Sequence, residues 1–182
     1  MAKVYAFVAD VMEEVECLGV CDVLHRADVD VKLVSIMGRK EITGSHGFKI
    51  IADEVFENIT DDADVLFLPG GMPGTLRLTE HKELGEMLKA HHAAGKRLAA
   101  ICAAPSVLGG LGLASGHKVT CFPGWEGKME GATVTGAAVE TDRLISTGRG
   151  MGCSFDLGLE LVKLLVDEET AEDLRKKIQY DK

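Results

Sequence analysis

The chain has no run of apolar residues approaching the roughly 18 that a membrane-spanning helix needs. It has no Cys-x-x-Cys pair, no P-loop and no G-x-G-x-x-G. It is also short of cations, with 20 Lys and Arg against 29 Asp and Glu, a formal net charge of −9. Nucleic acids and anionic membrane surfaces are bound largely by neutralising phosphates with Lys and Arg, so neither is an expected partner. The opening MAKVYAFVADVMEEVE meets acid too soon for a secretory signal. The five cysteines are odd in number, which disfavours a disulfide scaffold, and lack the spacing of a zinc site. A reducing cytoplasmic compartment is expected, with no metal and no nucleotide cofactor.

What is present is an ordinary globular composition. The 182 residues are 46% apolar and 27% charged, enough for one domain over 1–182 with a substantial core. Short β-rich runs alternate with helical patterns. Lys3–Ala9, Val31–Ile36, Asp64–Leu68, Arg97–Ile101, Lys118–Phe122 and Leu144–Thr147 read as strands. Glu13–Ala27, His81–Ala94, Ala103–Leu111, Phe155–Val166 and Glu168–Tyr180 read as helices, and Lys40–Ala52 as a hairpin. This alternation predicts an α/β sandwich around a largely parallel sheet.

In such sheets ligands gather beyond the carboxyl ends of the strands. Three segments should meet there: Asp10–Glu16, the turn Pro69-Gly70-Gly71-Met72-Pro73-Gly74, and Cys102-Ala103-Ala104-Pro105. Cys102 ends an apolar strand, opens a helix and is flanked by alanines, the context of a nucleophile elbow. The helix N-terminus is expected to lower its pKa. An inert buried cysteine has the same context. Gly70-Gly71 offers backbone N–H groups to an anion, or is a plain tight turn. Glu13, Glu14 and Glu16 suit a helix start. Glu16, on the opposite face from Val15, is placed to point toward Cys102, where burial and a nearby thiolate would raise its pKa. Cys17, Cys21 and Cys121 read as packing residues, as does Cys153, although its glycine-rich setting lies near the site. His81, His91, His92 and His117 sit in polar stretches and are expected to face solvent. Trp125 reads as a pocket wall or a loop anchor.

AAICAAP around Cys102, FLPGGMPG, EEVE and STGRGMGCSFDLGLELV together resemble the ThiJ/PfpI superfamily, most closely its parkinsonism-protein (DJ-one) subfamily, from about residue 3 to 177. The resemblance implies a flavodoxin-like three-layer fold and a homodimer. It implies a reactive, oxidisable Cys102, a protonated Glu16 beside it, and backbone donors from Gly71 and Ala103. Family activities include cofactor-free conversion of methylglyoxal to lactate, deglycation, and redox sensing or chaperoning. Three positions depart from the pattern. Ala103 follows the cysteine where the protease branch has histidine, which argues against peptidase activity. Phe122 replaces a histidine of the T-x-H-P stretch, and His46 stands where relatives carry an arginine near the dimer seam. Gly70, His46 and Phe122 are therefore candidate pocket residues. Two functions are expected from the same residues: a cysteine-dependent enzyme acting on small 2-oxoaldehydes, or a redox sensor or chaperone-like protein that uses an oxidisable Cys102.

Overall fold

The computed structural model describes residues 1–180. Its centre is a seven-stranded sheet built from β1 (Lys3–Val8), β2 (Asp30–Ser35), β5 (Glu54–Val55), β6 (Val65–Leu68), β7 (Arg97–Ile101), β10 (Val139–Asp142) and β11 (Ile145–Gly148). The order is β10-β11-β7-β6-β1-β2-β5. Every pairing is parallel except β10 with β11. The expected α/β fold is therefore present, as a mixed sheet with one antiparallel edge.

Strand β1 shows why three layers form. Val4, Ala6 and Val8 point to one face and Tyr5, Phe7 and Ala9 to the other, as the two-residue period requires. The first set packs with α1 (Glu14–Arg26), α5 (Ser154–Leu165) and α6 (Glu168–Lys177). The second packs with α2 (Gly74–Glu80), α3 (Lys82–Ala93) and α4 (Pro105–Gly110). Phe7 and Phe67 are completely buried, one on each face. Burying a side chain of that size contributes about 1.5–3 kcal/mol. Both faces being covered explains why the central strands read as continuous apolar runs.

Helix α1 starts where local chemistry directs it. The Glu13 carboxylate accepts the Glu16 N–H at 2.6 Å. Glu14 and Glu16 occupy the positive first turn, and His25 and Arg26 the negative last one. The hairpin is present as β3 (Glu41–Thr43) paired with β4 (Lys49–Ile51).

Several boundaries differ from expectation. In the Lys118–Phe122 stretch only β8 (Lys118–Val119) is a strand, and it pairs with β9 (Thr133–Val134) in a small separate ladder. The run stops because the Thr120 N–H donates to the Thr147 side-chain Oγ1 rather than to a neighbouring strand's carbonyl, while its hydroxyl donates to the Ala137 carbonyl. Helix α2 and edge strand β10 lie where no element is expected. The helix beyond Cys102 starts at Pro105 rather than Ala103 and is six residues long.

Candidate active site

Cys102 sits between β7 and α4 with φ +64°, a left-handed conformation that a residue with a Cβ adopts at some cost. Its N–H donates to the Gly148 carbonyl at 2.9 Å, and its carbonyl accepts the Phe122 N–H at 2.8 Å. The elbow is thus clamped between the end of β11 and the segment after β8. Val11 at φ +65° is a second strained residue at the same end of the sheet, and a β-branched one. It is held by donation from its N–H to the Thr43 carbonyl at 2.7 Å.

The turn after β6 brings the other groups in. The Glu13 N–H donates to the Gly70 carbonyl at 3.0 Å, which ties the start of α1 to that turn. A Cβ on Gly70 would stand 2.5 Å from Glu16 Oε2 and 2.8 Å from the Cys102 Cβ. Gly71 has φ +92°, and a Cβ there would stand 2.3 Å from the Glu13 nitrogen. The two glycines are therefore the space through which Glu16 and Cys102 approach one another.

Glu16 is 1% exposed, and its Oε2 has no partner in hydrogen-bonding geometry. Burial pushes its carboxyl up to about 7. The Cys102 thiol pulls against this shift, Glu13's charge adds to it, and the Gly70 N–H opposes it. For Cys102, burial comes first, then the charge and hydrogen bond of Glu16. Together they push the thiol up to about 12, against the N–H groups of Ala103 and Gly71.

This corrects the expectation of a thiol acidified by a helix N-terminus. A six-residue helix starting three residues on has little macrodipole to offer, and burial beside a carboxyl dominates. The two acids share one low-dielectric site. One charge is accommodated near neutrality and the second is resisted. The carboxyl, raised to about 7, takes that charge before the thiol, pushed up to about 12, and the two N–H groups directed at sulfur are placed to support a thiolate when one forms. Structurally, Cys102, Glu16, Gly70, Gly71 and Ala103 converge as the three-segment reading requires.

His46 is not part of this cluster. Its ring Nδ1 lies 2.9 Å from Glu14 Oε2, and its backbone N–H donates to Glu14 Oε1 at 2.8 Å. The Ser45 hydroxyl donates to Glu14 Oε2 at 3.0 Å. Burial alone would raise Glu14; these partners, the His46 ring foremost, hold it down to about 2. His46 in turn is raised by Glu14. The histidine thus anchors the β3–β4 hairpin to α1, a role that sequence reasoning did not find. Glu13, Glu14 and His46 are the one group of three potential metal-ligating side chains among the described residues, and each already has a partner inside the chain.

Phe122 is 47% exposed. Its ring lies against Gly150, where a Cβ would be 3.4 Å from Cδ2. Trp125 is half-buried against the α2–α4 face of the core. Cys17, Cys21, Cys121 and Cys153 are free and buried, as packing residues should be. None of the four histidines expected to face solvent is exposed: His81 and His92 are half-buried, with His81 Nδ1 accepting the Leu84 N–H at 3.1 Å, and His91 and His117 are buried. His91 is fully buried because Asp61 and the Arg97 carbonyl satisfy both ring nitrogens, at 2.7 and 3.1 Å. His117 is buried against the half-buried His92, with Asp142 3.6 Å from its Nδ1.

No helix among the described residues is long and apolar enough to cross a membrane. Comparison with known proteins accords with the geometry. The chain is 37% identical over 175 residues to Protein DJ-1 homolog B of Arabidopsis thaliana, a match covering 94% of this chain and 40% of that protein. The chain thus spans about two fifths of that plant relative's length. It is 32% identical over 168 residues to Glutathione-independent glyoxalase DJR-1.2 of Caenorhabditis elegans, covering 90% of this chain and 88% of that protein. Among solved structures, the oxidized DJ-1 of Toxoplasma gondii superposes with a TM-score of 0.96 at 30% identity, covering 100% of each chain. The profile of the DJ-1/PfpI family matches residues 2–164. With that match over most of its length and the elbow cysteine in place, the chain belongs to the DJ-1/PfpI family.

Proposed function

We propose that the protein is a cysteine-dependent, cofactor-free enzyme that converts small 2-oxoaldehydes such as methylglyoxal to 2-hydroxy acids, in protection against carbonyl and oxidative stress. The observation that carries this reading is Cys102 in a left-handed elbow, with the buried Glu16 on one side and the N–H groups of Gly71 and Ala103 at its sulfur. A relative named as a glutathione-independent glyoxalase adds to it.

The chemistry needs only these groups. The Cys102 thiol gives its proton to the Glu16 carboxylate, and the thiolate so formed adds to the aldehyde carbon of the substrate. The carbonyl electron pair moves to oxygen, and the resulting oxyanion takes over the N–H groups of Gly71 and Ala103 as the sulfur loses its charge. Glu16, titrating near neutrality, gives its proton to that oxyanion, and the carboxylate so formed removes the proton from the carbon and returns it to the neighbouring ketone carbon. The product is a thioester of the 2-hydroxy acid. Water cleaves it, releasing the acid and restoring the thiol, so substrate plus one water gives product with no outside oxidant. Deglycation of hemithioacetals and hemiaminals would use the same thiol and donors. Ala103 beside the nucleophile supplies no base, which disfavours peptidase chemistry.

A second reading is a redox sensor or chaperone-like protein in which Cys102 is oxidised to the sulfinate. The same N–H groups and a protonated Glu16 would hold its oxygens, and the solved Toxoplasma relative is described as oxidized. The discriminating experiment is lactate formation from methylglyoxal without glutathione, in wild type and Cys102→Ala. Turnover lost in the variant supports the enzyme. Stoichiometric consumption without turnover supports scavenging or sensing.

We also propose a homodimer. Val15, Leu18, Phe48 and Ile51 are 44%, 40%, 67% and 73% exposed on the outer side of α1 and the β3–β4 hairpin, an apolar patch suited to a two-fold interface. Light scattering at micromolar concentration should give twice 19.5 kDa; a monomer mass would refute it. Five free cysteines suit a reducing cytoplasmic location.

A further inference from the structure

The two segments that clamp the Cys102 backbone also border a groove of about 350 Å³, lined chiefly by Phe122, Pro123, Arg149, Gly150, Met151 and Cys153. It is one backbone hydrogen bond from the elbow on each side. Phe122 donates to the Cys102 carbonyl, and Gly148, which leads directly into Arg149-Gly150, accepts the Cys102 N–H. Phe122 and Met151 are 47% and 52% exposed, and the bare backbone of Gly150 lies against the Phe122 ring. Arg149 is the one charged residue of the lining, and its Nη1 donates to the Gly136 carbonyl at 2.8 Å. The remainder of the lining, with Phe122, Pro123 and Met151, is mostly apolar. The groove's volume is that of a small-molecule site and far exceeds the single methyl group of methylglyoxal.

Resting on the glyoxalase reading above, we propose that Phe122 and Met151 form an apolar wall of the Cys102 site that selects 2-oxoaldehydes carrying a large, aryl-type substituent. An aromatic ring in the groove meets the Phe122 ring in an offset or edge-to-face contact and the Met151 thioether beside it, and leaves water on both faces. The substituent takes no part in bond making. The thiolate still adds to the aldehyde carbon, and the product is still the 2-hydroxy acid. Phe122 is thus a specificity residue rather than a catalytic one, and its size and lack of charge set which substrates gain binding energy.

The test compares kcat/KM for phenylglyoxal and methylglyoxal, read as mandelate and lactate, in wild type, Phe122→Ala, Phe122→His and Met151→Ala. Wild type should prefer phenylglyoxal about tenfold, equivalent to about 1.4 kcal/mol. That ratio should fall about tenfold in Phe122→Ala, mainly through KM, and by less in the other two variants. A parallel measurement needs no turnover: the relative rate of Cys102 alkylation by N-phenylmaleimide and N-methylmaleimide, normalised to a small free thiol. It should favour the phenyl reagent in wild type and lose that preference in Phe122→Ala. Turnover of both aldehydes with the same ratio in wild type and Phe122→Ala would overturn the wall and leave the glyoxalase reading standing. No turnover of either aldehyde, with the maleimide preference lost only on truncation, would overturn the glyoxalase reading and support the wall. Phe122 is half-exposed, so its truncation should leave the fold intact, which thermal unfolding verifies.

Discussion

Replacing Glu16 by Gln should make the protein more stable at neutral pH, and the size of the gain follows from the structure. The carboxyl is 1% exposed and titrates at about 7 instead of its ordinary 4.5, because burial penalises the charged form. Between these two values the folded protein holds a proton that the unfolded chain has already released. Stability is therefore intact below pH 4.5 and falls as pH rises, by up to 1.36 kcal/mol per unit, until the folded carboxyl ionises near 7. Over roughly 2.5 units the loss amounts to about 3 kcal/mol. The neighbouring Cys102 does not alter the sign, since its thiol, pushed up to about 12, keeps its proton throughout this window.

Gln fits the same space, donates toward the sulfur and accepts the Gly70 N–H, but cannot titrate. Urea unfolding at fixed protein concentration, from pH 4.5 to 8, checks this. The stability of Glu16→Gln relative to wild type should climb by about 3 kcal/mol between pH 4.5 and 7.5 and then level. Groups outside the Glu16–Cys102 pair are common to both proteins and cancel. Parallel profiles across that range would refute the reasoning, because they would mean that Glu16 ionises in the fold as it does in water. The same variant should lose methylglyoxal turnover far more than it loses Cys102 alkylation, since only the former needs the proton carrier.

Cys102 should be the first thiol labelled by brief peroxide or iodoacetamide, read by peptide mass mapping, because it is half-buried while the other four are buried; earlier labelling of Cys17, Cys21, Cys121 or Cys153 would count against its role. Gly70→Ala should cost about 1–3 kcal/mol and sharply slow Cys102 labelling, since the added methyl would stand 2.5 Å from Glu16 Oε2 and 2.8 Å from the Ile101 carbonyl; unchanged unfolding and labelling would show that the glycine is only a turn residue. His46→Gln should make the hairpin more sensitive to proteolysis at neutral pH, because it removes the ring partner of the buried Glu14. The pH dependence of Cys102 alkylation should be the same in wild type, His46→Gln and His46→Arg in a monomeric form, and a difference confined to the dimer would place His46 at the partner's site.

How much of this is legible in the chain alone depends on how local the physics is. The strands of the sheet centre are legible because both faces are covered, so Val65–Leu68 and Arg97–Ile101 read as unbroken apolar runs. Edge strand β10 is not, since Val-Glu-Thr-Asp is half-buried throughout and carries no apolar alternation. Lys118–Phe122 misleads in the opposite way: it has the composition of a strand, but Thr120 gives its hydrogen bonds to Thr147 and Ala137. Helix α2 follows a glycine-rich turn with no side-chain cap and so has no start signal. The burial of His91 depends on Asp61, thirty residues away in sequence, and on the Arg97 carbonyl. One partner lies in the loop before β6 and the other at the start of β7, and no local pattern marks them.

The site divides along the same line. That Cys102 is presented at a sheet edge follows from a strand, a turn and small neighbours, all within a few residues, and is legible. The acidity of its thiol is not. A local argument counts the helix behind the cysteine and predicts a lowered pKa. The fold adds two influences that only tertiary contact supplies, burial and a carboxyl brought from 86 positions upstream, and together they raise the thiol pKa instead. The device that permits this is the absence of two side chains. With a Cβ at Gly70 the carboxyl and the thiol could not converge, and with one at Gly71 the start of α1 could not lie against the turn. A pair of glycines, unremarkable in sequence, therefore decides whether Cys102 and Glu16 act as separate acids or as one unit holding a single charge near neutrality. On the proposed reaction, that unit would supply both the nucleophile and the proton carrier.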